Sequence, residues 1–216
     1  MGELLGADEL ARSSVVANCA MNRERGPASY RRELGFDVLG FLAGRLEERG
    51  AVRWLDLCCG AGRALSEAAP VLGSAAELVG LDLVGFFAPA HPRVRLETAS
   101  IADWAPDGPF DLITCVHGLH YVGDKLDALS RAASWLTADG SFHANLDLAG
   151  IHAPRRPLAA SLRANGFSYD ARRRRITCTG RHTPRFPFAY LGADDRTGPN
   201  YTGQDAVTSY YDHSPS

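Results

Sequence analysis

The chain has 216 residues, 45% hydrophobic and 22% charged, and its 23 Lys+Arg against 25 Asp+Glu give a formal net charge of -2. This is the size and composition of one globular domain, which excludes disordered, collagen-like and coiled-coil chains. A near-neutral chain also lacks the broad positive field that non-specific nucleic-acid or anionic-membrane binding relies on, so a polyanion would need a local patch.

The five cysteines, Cys19, Cys58, Cys59, Cys115 and Cys178, are odd in number and lack paired metal-ligand spacing. Reduced thiols in a cytoplasmic protein are expected. The opening MGELLGADELARSS is acidic where a signal peptide would be basic, and no apolar run approaches the ~18 residues of a spanning helix. A soluble, unexported protein without membrane partners is therefore expected.

In chain order, Leu39, Leu42, Ala43 and Leu46 fall at helical spacing, and the spacing predicts one amphipathic helix from about Tyr30 to Arg49, closed by Gly50. The apolar run Ala51 to Leu57 reads as a strand. It leads into the turn CCGAG and a helical stretch from Arg63 to Leu72. Further strands are predicted at Glu77 to Leu83, Arg93 to Thr98, Pro109 to Val116 and Ser141 to Leu148, with a helix from Lys125 to Leu136. Strands buried on both faces and separated by helices imply a parallel sheet. Only ten residues lie between Asp82 and Arg93, too few for a full helical crossover. After a helix near Pro157 to Asn165, FSYDARRRRITCTG predicts two short strands about a tight turn at the sheet edge, and from about Phe186 the chain reads as ordered loop or tail.

The string WLDLCCGAGRAL, Trp54 to Leu65, places Asp56 near a strand end just before Gly60 and Gly62, where missing side chains let a ligand lie against the backbone. Asp82 follows Gly62 by twenty residues and closes the next strand, where a carboxylate can accept both hydroxyls of a ribose. A dinucleotide site wants a third small residue where this chain has Leu65, and Asp56 would repel a pyrophosphate. A ligand bearing an ammonium and a sulfonium suits Asp56 better, and S-adenosylmethionine has both.

LDLCCGAG, VGLDL, FDLITCVHGLHYV and ADGSFHANL resemble successive motifs of the class I S-adenosylmethionine-dependent methyltransferases over roughly Val52 to Leu148. The resemblance implies a three-layer α/β/α Rossmann-like fold with a mostly parallel seven-stranded sheet, order 3-2-1-4-5-7-6, and an antiparallel edge strand. With no internal repeat or low-complexity linker, one domain is expected over residues 1–216, with a helical lid region in 1–50, a cofactor-binding core in 51–148, and the edge hairpin and tail in 149–216. By this likeness Asp56, Gly60 and Gly62 surround the methionine moiety, Asp82 and Leu83 hold the ribose region, and Val116 and His117 flank the methyl group. Ser100 and the Ile101 backbone meet the adenine, with Asp103 as the rival, and Tyr30 reaches the cofactor carboxylate as part of a lid with Asn22, Arg23, Glu24 and Arg25. Cys58 departs from the family pattern by standing where its first Gly is commonest. Phe86 and Phe87 are expected to wall the adenosine across the short connection.

No Asn-Pro-Pro-Tyr-like string follows the fourth strand, so the likeness does not extend to enzymes methylating exocyclic base nitrogens. Cys115, Val116 and His117 offer no carboxylate for a magnesium-dependent catechol site. The expected activity is metal-independent methyl transfer to an O, N or C atom of a small molecule, with His117 and His120 as candidate bases. Alternatives are a binding protein for the same cofactor with another role, an NAD-dependent oxidoreductase, or an RNA methyltransferase using Arg172 to Arg175. Plain readings stand beside these: His120 and Tyr121 as packing, Tyr30 as a helix start, Cys58 and Cys59 as small residues, the arginine run as a solvated turn. The tail tyrosines, Tyr190, Tyr201, Tyr210 and Tyr211, suit an acceptor pocket, a terminal anchor or a homodimer contact.

Overall fold

The computed structural model describes residues 4–17, 25–154 and 158–213; Cys19, Asn22, Arg23 and Glu24 lie outside them. Helices α1 (Ala7–Ala11), α2 (Ser14–Ala17), α3 (Pro27–Leu34) and α4 (Val38–Arg49) come first. Next are β1 (Val52–Leu57), α5 (Arg63–Leu72), β2 (Ala76–Asp82), β3 (Val94–Thr98), β4 (Phe110–Cys115), α6 (Lys125–Ser134) and β5 (Leu136–Asn145). The chain closes with β6 (Ile151–His152), α7 (Leu158–Ala164), β7 (Ser168–Asp170), β8 (Arg175–Thr179), β9 (Phe188–Asp194) and β10 (Thr208–His213).

The main sheet has seven strands in the order β3-β2-β1-β4-β5-β8-β7. Its first five strands are parallel, and β8 pairs antiparallel with both β5 and β7. This is the expected order; the edge hairpin is β7 and β8 because the two-residue β6 belongs to a second sheet. Alternating side chains serve two cores, as the period of a strand requires. Trp54, Leu78 and Leu112 face a layer built by α3, α4 and α5, whereas Leu55, Leu57, Val79 and Ile113 face the cluster containing Leu126 and Leu129 of α6 and Leu162 of α7.

Two expectations are corrected. The helix predicted from Tyr30 to Arg49 is two helices, because Gly35 ends α3 in the left-handed conformation at φ 65 and Asp37 caps α4, accepting from the Gly40 N–H. A Cβ at Gly35 would lie 2.0 Å from the Arg175 guanidinium, which donates to the Glu33 and Arg32 carbonyls at the end of α3. The tail is not a loop: β9 and β10 pair antiparallel, β10 pairs with β6, and an antiparallel bridge ties Leu5 to Ala193. Leu10, Val16, Ala193 and Val207 form a small core there, so α1 and α2 are held by the far end of the chain.

The second sheet is fastened to the start of α6. Lys125 is 1% exposed, and its Nζ donates to the Val122 and Val207 carbonyls and to Ser209 Oγ, all within 2.9 Å. The Tyr211 hydroxyl donates to Asp124 Oδ1 and accepts from the Leu126 N–H. Burial lowers the Lys125 amine to about 7, against the opposing pull of Asp124 and Asp147. Lys125→Met should cost about 2–4 kcal/mol in urea unfolding, since it strands buried acceptors; a change under about 0.5 kcal/mol would show that the lysine does not hold the sheet.

Candidate active site

The strands β1 and β4 end in backbone conformations that turn the chain sharply off the sheet. Cys58 has φ 53 and His117 has φ 58, both in the left-handed region that non-glycine residues seldom adopt. That geometry explains why glycine is favoured at the position Cys58 fills. The two turns touch: a Cβ on Gly118 would lie 2.3 Å from the Cys58 Cβ. Above these strand ends lies a cavity of about 340 Å³.

Gly60, Asp82, Leu83, Ser100 and Ile101, all expected at the site, line this cavity, as do Asp103 and Phe86. Asp82 Oδ2 accepts from the Gly60 N–H at 2.9 Å and Oδ1 from the Val84 N–H at 3.0 Å. An ionised carboxylate offers about four lone-pair positions, so roughly two remain for a ligand. Ser100 Oγ accepts from the Ala102 N–H, closing the turn after β3, while the exposed Asp103 carboxylate makes no side-chain hydrogen bond among the described residues. No helix forms between β2 and β3, as the short connection demands. Phe86, 61% exposed, lines both this cavity and a separate depression with Ala61 and Ser66, whereas Phe87 lines only the depression.

Residues outside the strand-turn motifs complete the enclosure. Leu10 of α1, Val16 of α2 and Tyr190 of β9 line the same cavity, as do Tyr121 and Val122. The Tyr190 hydroxyl is buried and finds no hydrogen-bond partner among the described residues. No strand-turn motif marks Leu10 or Tyr190; their place depends on the pairing of the chain ends.

Asp56, Gly62, Tyr30, Val116 and His117 are not on the cavity wall. Gly62, at φ 75, starts α5, and a Cβ there would lie 2.8 Å from Leu96, so its role is close packing of helix on sheet. Asp56 is fully buried: Tyr30 Oη donates to Oδ2 and Thr114 Oγ1 to Oδ1, each at 2.6 Å, and Trp54 Nε1 donates to Thr114 at 2.9 Å. Register dictates this cluster, since Asp56 sits directly opposite Thr114 and Trp54 is two residues back on the same face. Burial pushes the Asp56 carboxyl up to about 7, although both hydrogen bonds oppose it. Tyr30, 1% exposed, is thus bonded to Asp56 and not open to a ligand.

His117 turns its ring away from the cavity toward α3. Its Nε2 lies 3.1 Å from Glu33 Oε2, its Nδ1 lies 3.4 Å from the Tyr201 hydroxyl, and its N–H donates to Asn145 Oδ1. Asn145 Nδ2 donates in turn to the Glu33 carbonyl, and Arg25 pairs with Glu33 at 3.4 Å. Burial lowers the His117 imidazole below its usual range while Glu33 pulls the other way; burial works to raise Glu33, but the His117 hydrogen bond and Arg25 hold it low. The pair therefore reads as Glu33 carboxylate accepting from a neutral imidazole N–H. His120 packs edge to face with Tyr201, and burial drives its imidazole down to about 3. Within the arginine run, Arg173 pairs with Asp170, Arg174 stacks on Tyr201, and Arg175 meets α3.

Among the described residues, no group of three His, Cys, Asp or Glu side chains could hold a metal ion, and no helix is long and apolar enough to cross a membrane. A family model described as a methyltransferase domain matches residues 28–173. A 2-phytyl-1,4-naphtoquinone methyltransferase from Synechococcus elongatus is 33% identical over 142 residues, covering 56% of this chain and 59% of the relative; this chain thus spans less than two thirds of that protein. Among solved structures, the N-methyltransferase NodS from Bradyrhizobium japonicum, in complex with S-adenosyl-L-homocysteine, aligns at 15% identity over 82% of this chain and 96% of its own, TM-score 0.46. An amino pentose methyltransferase from Micromonospora echinaspora aligns at 24% identity over 55% of this chain and 54% of its own, TM-score 0.41.

The raised Asp56 value has a sign that can be measured. Its folded-state value lies above the unfolded one, so its contribution is fully present below about pH 4 and is lost as pH rises through about 7. Wild type should therefore lose on the order of 2 kcal/mol relative to Asp56→Asn between pH 5 and pH 8 in urea unfolding. A pH-independent difference would mean the carboxylate ionises as freely as in the unfolded chain.

Proposed function

Because the chain belongs to the methyltransferase-domain family, we propose that it binds S-adenosylmethionine in the strand-end cavity and transfers the methyl to a small organic molecule. One observation carries this reading: Asp82, at the end of β2, keeps lone pairs free beside the side-chain-poor turn at Gly60. A ribose fits that carboxylate, and its two backbone hydrogen bonds fix its direction. The buried, unpartnered Tyr190 hydroxyl on the same wall is a further polar atom for a nucleoside to satisfy. Asp103 suits the adenine amino group better than Ser100, whose Oγ is committed to its own turn.

S-adenosylmethionine, when bound, supplies an electrophilic methyl on a sulfonium. The protein's task is then to align the acceptor and exclude water, and α1, α2 and Tyr190 close the cavity for that purpose. Neither candidate base lines the cavity, and His117 is held by Glu33 with its ring turned away from it. His120, lowered to about 3, is too weak a base at neutral pH and packs edge-on against Tyr201.

Calorimetric titration distinguishes this reading from an NAD-dependent oxidoreductase. S-adenosylhomocysteine should bind and NAD(H) should not; the reverse pattern contradicts the assignment. Asp82→Ala should weaken that binding by ~1–3 kcal/mol, roughly ten- to a hundredfold, and unchanged affinity would remove Asp82 from the site.

A further inference from the structure

The charged side chains that line the strand-end cavity are all of one sign. Asp8 of α1, Asp82 at the end of β2, Asp103 after β3, and Asp124 and Asp127 at the start of α6 are acids, and among the described residues no Lys, Arg or His lines it. Leu10, Val16, Leu81 and Val122 contribute apolar wall between them. A cleft lined by one sign of charge with low-dielectric walls concentrates its field on whatever it encloses. Here that field favours a cation.

Two of the five acids are matched to uncharged parts of the donor, Asp82 to the ribose hydroxyls and Asp103 to the adenine amino group. Strand order sets where the others stand. The sheet runs β3-β2-β1-β4, so a nucleoside with its base at the turn after β3 and its ribose at the end of β2 directs its sulfur across β1 toward β4, at about 4.8 Å per strand. On that side the wall is made by Cys58, Gly118 and the segment from Tyr121 to Asp124. Asp127 is paired with Arg131 at 2.6 Å, which offsets its charge. Asp124 has no such ion pair among the described residues: its Oδ1 accepts from the Asp127 N–H and the Tyr211 hydroxyl, both uncharged donors. Lys125 lies next to it in the chain, but burial lowers that amine to about 7, so at pH 8 it is mostly neutral.

Resting on the methyltransferase reading, we propose that this single-signed wall, through Asp8 and Asp124, selects the charged methyl donor over its uncharged product. S-adenosylmethionine carries an ammonium, a sulfonium and a carboxylate and is a net cation. S-adenosylhomocysteine lacks the sulfonium and is net neutral. When the methyl leaves, the electron pair of the methyl–sulfur bond stays on sulfur, the sulfonium becomes a thioether, and the positive charge goes with the methyl to the acceptor. The attraction that held the donor is lost in the same step, so the product leaves a wall that no longer holds it. An attraction already present in the bound donor sets KM and product inhibition and does not raise kcat.

Calorimetric titration at pH 8 and low salt tests this with three probes: S-adenosylmethionine, S-adenosylhomocysteine, and sinefungin, whose ammonium stands in for the sulfonium and restores the positive charge. Both cations should bind about tenfold tighter than S-adenosylhomocysteine, the effect of one unit charge at roughly 8 Å in an effective dielectric of about 30. Asp124→Asn keeps the side chain's size and its helix cap and removes the charge, so it should weaken both cations severalfold and leave S-adenosylhomocysteine unchanged. Asp8→Asn, at an exposed position, should act in the same direction by about twofold. Added salt should narrow the gap by screening. S-adenosylhomocysteine binding as tightly as the cations, sinefungin behaving like S-adenosylhomocysteine, or a loss shared equally by all three ligands in Asp124→Asn would overturn the charge selection and leave the methyltransferase reading standing. If none of the three binds wild type, both fall. Should Asp124→Asn fail to fold, Asp8→Asn and the salt series decide, and a gap that neither of them narrows contradicts the proposal.

Discussion

The whole C-terminal edge of the main sheet depends on two left-handed turns, at Cys58 after β1 and at His117 after β4, seated against one another. Each places a non-glycine residue in a conformation that costs roughly 1–2 kcal/mol, and neither turn has room to relax into the other. By leaving the sheet at once, both chains open the space above the strand ends that the cavity occupies. The same geometry sends the His117 backbone past the cavity while its ring points to α3, so one turn shapes two neighbouring environments.

Two carboxylates near these turns are treated in opposite ways. Asp56 is sealed by Tyr30, Thr114 and Trp54, and burial raises it to about 7, so it knits the β1–β4 pair to α3. Asp82, one strand over, spends two hydrogen bonds on backbone amides and keeps the rest of its capacity toward the cavity. The difference arises from register. Asp56 points into the α3–α5 layer opposite Thr114, while Asp82 is the last residue of its strand and has passed the layer's edge.

The parallel core was legible because each strand is a short apolar run closed by a turn signal, its order only through the family resemblance, and the edge hairpin because an arginine-rich turn separates two alternating segments. Gly60 and Asp82 were legible as cavity residues from the glycine turn and its spacing to a strand-end acid, and Leu83, Ser100 and Ile101 through the family resemblance. Three things were not. Gly35 and Asp37 are good helix-ending and helix-starting residues, but the apolar spacing across them continues and hides the break. The strands β9 and β10 are rich in Tyr, Asp and Gly, and their pairing partner Leu5 lies at the far end of the chain. The burial of Asp56 and the Glu33–His117–Tyr201 contacts join segments 84 or more residues apart in the last case, and no local pattern encodes such a meeting. His117 and Val116 were placed by likeness beside the methyl group, yet the direction of the His117 ring follows from its left-handed backbone.

The central claim is that the space above the two turns, with Asp82 on its wall, is built for an adenosyl methyl donor. A crystal structure of the protein with S-adenosylhomocysteine tests it most directly. The ribose hydroxyls should lie within hydrogen-bond distance of the Asp82 carboxylate, with the adenine between Leu83 and the Ser100–Asp103 turn. Density for the nucleoside elsewhere, with Asp82 facing solvent alone, would contradict it.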